Sequence, residues 1–292
     1  MIKVDNCDQL KAFLKSESKR LNISCTNTYN TFFSRLLLER ISHVDPSHEF
    51  LVKGSFAQLV HLQKIVRPIT DVDLTTVVPH QDAIKVLLDA LTYNENDLIN
   101  FNMRGKVKQT TTGIYKIPIN ACYQKINHPI GIDYRENYPL LFEKQEKTVP
   151  RIFTGDNEYK VFVPSIEETL AEKLYIVIKK NYLYDKNTRV KDLYDVYQLH
   201  GGEYDLDKFS LYFETFLERS KFVDADNITT DFLNKEFTKS HEEEWESSKE
   251  KYEFLDNEID LEGSVYYTRG VLSEQLQRIK QGKNKPKTYV LK

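Results

Sequence analysis

The chain has 292 residues, 40% hydrophobic and 29% charged, which excludes global disorder and is enough material for two lobes at roughly 150 residues per domain. A formal charge of −3 excludes a nucleic-acid footprint spread over the whole protein, so any RNA contact needs a local basic patch. Cys7, Cys25 and Cys122 have no metal or redox spacing, no signal-peptide segment opens the chain, and no apolar run nears the ~20 residues that span a bilayer. The expectation is a soluble cytoplasmic protein with no membrane partner.

In chain order, DQLKAFLKSESKRLN at 8–22 has Leu10, Phe13, Leu14 and Leu21 at helical spacing. NTYNTFFSRLLLERIS predicts a second helix, with Asn27 or a neighbouring Thr as its cap. EFLVK at 49–53 is a short apolar run stopped by Gly54, hence a strand, and SFAQLVHLQKI is a helix with Ser55 near its start. DVDLTTVV reads as a strand halted by Pro79, QDAIKVLLDAL as a helix, and 107–134 as two or three strands ending in PIGIDYR. YKVFV predicts a further strand closed by Pro164.

From Ser165 the pattern turns helical. SIEETLAEKLYIVIKKNYL opens with a capping-box spacing, Ser165 to Glu168. RVKDLYDVYQLH is a helix stopped by Gly201 and Gly202, and further helices are predicted at 206–220, 228–255 and 263–281. The tail from Arg278 has basic residues and no acid. The expected domains are a mixed α/β domain with two N-terminal helices at 1–163 and a helical domain at 164–292.

Chemistry concentrates in a few positions. Residues i and i+2 of a strand share a face, so Asp71 and Asp73 stand together while Val72 and Leu74 enter a core. A wet strand face would also explain this pair. Gly54 and Ser55 follow a strand and open a helix, where backbone N–H groups attract phosphate and glycine permits close approach. An ordinary strand-to-helix turn has the same pattern. Asp133 lies near the end of a later apolar strand, as a third carboxylate or a plain strand-end acid. Lys173 sits among apolar neighbours, and Asp192 and Asp195 share a helical face, a pattern that surface salt bridges also produce.

The order of these parts is more specific than any one of them. Strand, Gly-Ser, helix, Asp-x-Asp strand, later Asp strand and helical lobe is the layout of a polymerase-β-like nucleotidyltransferase. The expected fold is thus α+β, a mixed sheet with flanking helices followed by a helical lobe. A nucleoside triphosphate carries about four negative charges, and two or three carboxylates can hold two Mg²⁺ ions roughly 4 Å apart to neutralise them.

FLVKGSFAQL, RPITDVDL, EKLYIVIKK and RVKDLYDVYQL resemble the motifs of the AbiEii/AbiGii toxin family, nucleotidyltransferase-like toxins of abortive-infection and type IV toxin–antitoxin systems that include the MenT-type toxins. FTKSHEEEWESSKEKY, with the only tryptophan, Trp245, is similar to the family's C-terminal helices. The resemblance implies that Gly54 and Ser55 bind phosphate, Asp71 and Asp73 bind metal, Lys173 contacts the nucleotide or transition state, and Asp192 is an essential acid, Asp195 being structural. Asp133 as a third metal ligand comes from the fold. Thr70 stands where the family has Ser, and Lys191 and Lys180 where it often has Arg, which removes a bidentate contact. The resemblance further implies transfer of a nucleotide to RNA, in particular to tRNA acceptor ends, which halts translation, and a cognate antitoxin. A small-molecule or protein acceptor, or a non-catalytic interaction module of the same fold, are the alternatives.

Overall fold

The computed structural model describes residues 5–45, 49–93, 98–136, 144–183, 190–219, 228–256 and 258–283. The chain divides into two compact units, residues 1–165 with 253–255, and residues 166–252 with 256–292.

The first unit opens with α1 (Cys7–Leu21) and α2 (Cys25–Val44). Asn6 caps α1, its side chain accepting from the Asp8 and Gln9 N–H groups. The cap of α2 is Ser24, which accepts from Asn27 N–H, rather than Asn27 or a threonine. Asn27 lies one turn inside and is buried. Ser24 is extended and preceded by a buried isoleucine, so it leaves the first orphan N–H groups within reach of its hydroxyl.

β1 (Phe50–Val52) leads through Lys53 into α3 (Gly54–Leu62), which ends where Gln63 turns left-handed. β2 (Val72–Thr76) and α4 (His80–Thr92) follow, then β3 (Asn100–Met103), β4 (Lys108–Gln109), β5 (Tyr115–Tyr123) and β6 (Ile126–Arg135). The sheet order is β1-β2-β6-β5-β3, with β4 also paired to β5. β2 runs parallel to β6, and the other pairs are antiparallel, so the sheet is mixed. β7 (Gln145–Val149) and β8 (Tyr159–Val163) form a separate two-stranded sheet. Residues 253–255 belong with this unit, Leu255 N–H donating to Val66 C=O at 3.1 Å.

Period-two burial orients the sheet. Ile117, Ile119, Ala121 and Tyr123 of β5 and Ile130, Ile132 and Tyr134 of β6 are buried, as are Val72 and Leu74 of β2. They join Phe33 and Leu37 of α2 and Phe56 of α3 in one core. Their sequence neighbours Asp73, Lys116 and Asp133 therefore emerge on the other face.

The second unit is helical: α5 (Ile166–Leu183), α6 (Lys191–His200), α7 (Leu206–Arg219), α8 (Lys235–Tyr252) and α9 (Leu261–Lys283). α5 packs on α6 and α7, and α9 on α6, α7 and α8. α8 begins later than the expected 228, because Asn234 caps it, its side chain accepting from Phe237 N–H at 2.9 Å. Asp260 caps α9 by accepting from Gly263 N–H at 2.7 Å, which moves its start to Leu261. Trp245 is buried on α8. The basic tail beyond Lys283 lies outside the described residues.

Candidate active site

The first unit brings Asp71, Asp73, Asp133, Gly54 and Ser55 together. The β2–β6 register places Asp73 directly opposite Asp133, and Asp71 immediately precedes β2. One oxygen from each of the three carboxylates lies within 4.8 Å of the others. All three residues are partly exposed, so the cluster opens to solvent. Three oxygen donors at this spacing suit a hard divalent cation, and a soft metal would ask for sulfur or imidazole.

Each carboxylate has its own support. Thr70 Oγ1 donates to Asp71 Oδ1 at 3.1 Å, a bond that the serine usual in the family could equally make. Asp73 is tied by its backbone, its C=O accepting from Lys53 N–H at 2.9 Å, so the strand that carries the acid is stitched to the entry of α3. Gly54 lies against the Asp73 side chain, and a Cβ added there would overlap the carboxylate, 2.8 Å from its Cγ. Gly54 also has a φ of 61°, the left-handed region that glycine enters without strain. The N-terminus of α3 has no side-chain cap, and Ser55 is nearly buried in its first turn. The glycine thus serves two elements at once, turning the chain into α3 and making room for Asp73.

Lys116 on β5 is a member of the cluster that sequence reasoning missed. It pairs in register with Asp133, and its ammonium bonds to Asp133 Oδ2. The bond to Asp133 raises the Lys116 pKa, and the charges of Asp71 and Asp73 add to it. Burial raises the Asp133 pKa, against the pull of Lys116, and the Asp71 charge raises it further. Like charge and desolvation thus work in one direction on Asp133, and a cation in the cluster relieves both.

The remaining expected site residues lie in the second unit. Lys173 on α5 donates to Asp192 Oδ1 at 2.8 Å and to Asp195 Oδ2 at 2.7 Å on α6. All three residues are buried, so the i, i+3 aspartates are a core ion cluster and not a surface salt-bridge pattern. Asp192 and Asp195 share Lys173 almost symmetrically. Lys191 places its ammonium over the Tyr252 ring at 4.5 Å.

The family pattern described as nucleotidyl transferase AbiEii toxin, type IV toxin–antitoxin system, matches residues 35–265. The chain belongs to the AbiEii nucleotidyltransferase toxin family. AbiEii membership makes it a nucleotidyltransferase, which takes a nucleoside triphosphate and a divalent metal, and a toxin whose system includes an antitoxin. No curated protein matches the chain in sequence. Among solved structures, JHP933 from Helicobacter pylori is similar at a TM-score of 0.51 and 12% identity, over 87% of this chain and 94% of that one. A second H. pylori protein, described as a candidate nucleotidyltransferase, is similar at a TM-score of 0.50 and 13% identity, over 86% of this chain and 96% of its own. At such identities the likeness shows the fold: the expected α+β nucleotidyltransferase fold is the one observed. No described helix of this AbiEii member is long and apolar enough to cross a membrane.

Proposed function

We propose that this AbiEii-family toxin transfers a nucleotidyl group from a nucleoside triphosphate to a hydroxyl of RNA, the tRNA 3′ end being the acceptor, and so blocks translation in the cytoplasm as part of phage defence. The observation that carries the reading is the convergence of Asp71, Asp73 and Asp133 on one sheet face, with Gly54 packed against Asp73. Asp71, Asp73 and Asp133 would hold Mg²⁺, and three carboxylates are enough for two ions. When bound, the metal supplies Lewis acidity at the transferring phosphate and favours ionisation of the attacking hydroxyl.

The chain's own groups supply the rest. The uncapped amides at the start of α3, with Gly54 and Ser55, donate to phosphate oxygens, and the lack of a side chain at Gly54 leaves room for the Asp73 carboxylate beside that turn. Thr70 holds one Asp71 oxygen, which leaves the other to a cation. The acceptor oxygen forms a bond to the α-phosphorus, the bond to the β-phosphate oxygen breaks, and pyrophosphate leaves. The hydroxyl proton passes to a carboxylate of the cluster or to water; Lys173 and Asp192, to which the family resemblance gives catalytic roles, form with Asp195 a buried ion cluster in the second unit.

The test is the fate of label from each α-³²P nucleoside triphosphate incubated with the protein, Mg²⁺ and total cellular RNA. Label in an RNase-sensitive band of tRNA size supports the reading. The formal charge of −3 favours a second reading, a small-molecule acceptor. Label confined to a low-mass product, or to protein, would replace the RNA acceptor with that one.

A further inference from the structure

We propose that Lys116 is a built-in competitor of the divalent cation: it occupies the carboxylate cluster through Asp133 and has to release that carboxylate before a metal can take it. The inference rests on the metal-binding reading of the cluster and adds a residue that neither the Asp-x-Asp strand nor the Gly-Ser turn announces.

The β5–β6 register puts Lys116 beside Asp133, which in turn faces Asp73 across the β6–β2 pair. One lysine ammonium therefore stands among three carboxylates. The two partners of the ion pair are unequally fixed. The Lys116 side chain is 53% exposed and that of Asp133 is 21% exposed. A lysine on a four-carbon stem can swing into water at little packing cost, whereas the aspartate stays in the cluster. The bond that must break is thus one that the mobile partner can leave.

The ammonium offsets one of the three negative charges in the free protein. A divalent cation that arrives alone must displace it without giving it a new partner. A cation that arrives with a triphosphate brings oxyanions that can take the ammonium over. Metal and nucleotide then favour each other's binding, because Lys116 opposes the first only while the second is absent.

The experiment is titration of the full-length protein with Mn²⁺ alone, in 0.15 M salt, with free Mn²⁺ read by electron paramagnetic resonance. Four variants are compared with the wild type: Lys116→Met, Lys116→Arg, Lys108→Met and Asp73→Asn. Lys108 is exposed and lies opposite Lys116 on β4, so it controls for the loss of a nearby charge. The expected result is binding by Lys116→Met about fivefold to tenfold tighter than wild type, with Lys116→Arg and Lys108→Met close to wild type. Lys116→Met binding no tighter than wild type, while Asp73→Asn loses the ion, overturns the competitor and leaves the metal site standing. An equal gain in Lys108→Met overturns it as well, since general charge would then explain the effect. Absence of Mn²⁺ binding by every protein overturns both the competitor and the metal reading.

Discussion

Gly54 has no room for a methyl group. Its α-carbon lies against the Asp73 carboxylate, and its φ of 61° is one that alanine adopts only at a cost of about 1–2 kcal/mol. Gly54→Ala should therefore push Asp73 out of the cluster and lower nucleotide transfer by about a hundredfold, the scale of loss expected when a reacting geometry shifts by ~1 Å. The fold should survive, because the strain is local and small against a whole domain's stability. Transfer assays beside thermal melts check this, and a variant with unchanged transfer would show that the contact is incidental. The site was partly legible at this scale. Gly54, Ser55, Asp71 and Asp73 stand in two short stretches, and Asp133 is a lone acid in an apolar strand. Lys116 was not legible, because its role exists only through the register of β5 on β6, and nothing in YKIPINACY says which residue will face Asp133.

The helices α5 and α6 are joined by a buried cation. Lys173 sits between Asp192 and Asp195, and all three are withdrawn from water. Removing the lysine would leave two buried carboxylates without that charge, and a broken buried pair costs about 3–5 kcal/mol. Lys173→Ala should show that loss in chemical unfolding, and any loss of toxicity in this variant has to be read beside it. A stability equal to wild type would mean that Lys173 serves the chemistry alone. In the sheet unit, His128 bonds to Asn30 and stacks on Phe33, and burial lowers its pKa below the ordinary 6.5. The unfolded chain then holds more protons than the folded one below that pH, so stability present above 6.5 is lost as pH falls toward the folded-state pKa. Asp156, which is buried, and Glu39, which is partly buried, have raised pKa values and act in the opposite sense, in more acid solution. The difference between wild type and His128→Gln isolates the histidine, and the variant should show a flatter pH profile as pH falls below the usual histidine value of about 6.5. Most elements could be read from their periodicity, as β5 and β6 were. β3 and β7 could not, since each has mostly exposed polar residues and is a strand because its neighbour pairs with it.

At the scale of the molecule, the change from alternating to helical pattern near Ser165 is visible in the sequence, and so is the order of motifs that led to the AbiEii family. The return of residues 253–255 to the sheet unit was not, because it depends on a long-range backbone hydrogen bond rather than on a local pattern. The acceptor is the least legible part: a charge of −3 shows no broad RNA-binding surface, and the RNA reading rests on the family resemblance and on the chemistry of the cluster. The central claim is that the Asp71, Asp73 and Asp133 cluster performs nucleotidyl transfer to RNA. Its most direct test compares wild type with Asp73→Asn, an uncharged near-isostere, for transfer of α-³²P label to purified tRNA in the presence of Mg²⁺, with thermal melts to show that both are folded. The account predicts labelled tRNA with the wild type and at least a thousandfold less with Asp73→Asn, on the order of 4 kcal/mol of lost transition-state stabilisation. Equal labelling by a folded Asp73→Asn protein would contradict it.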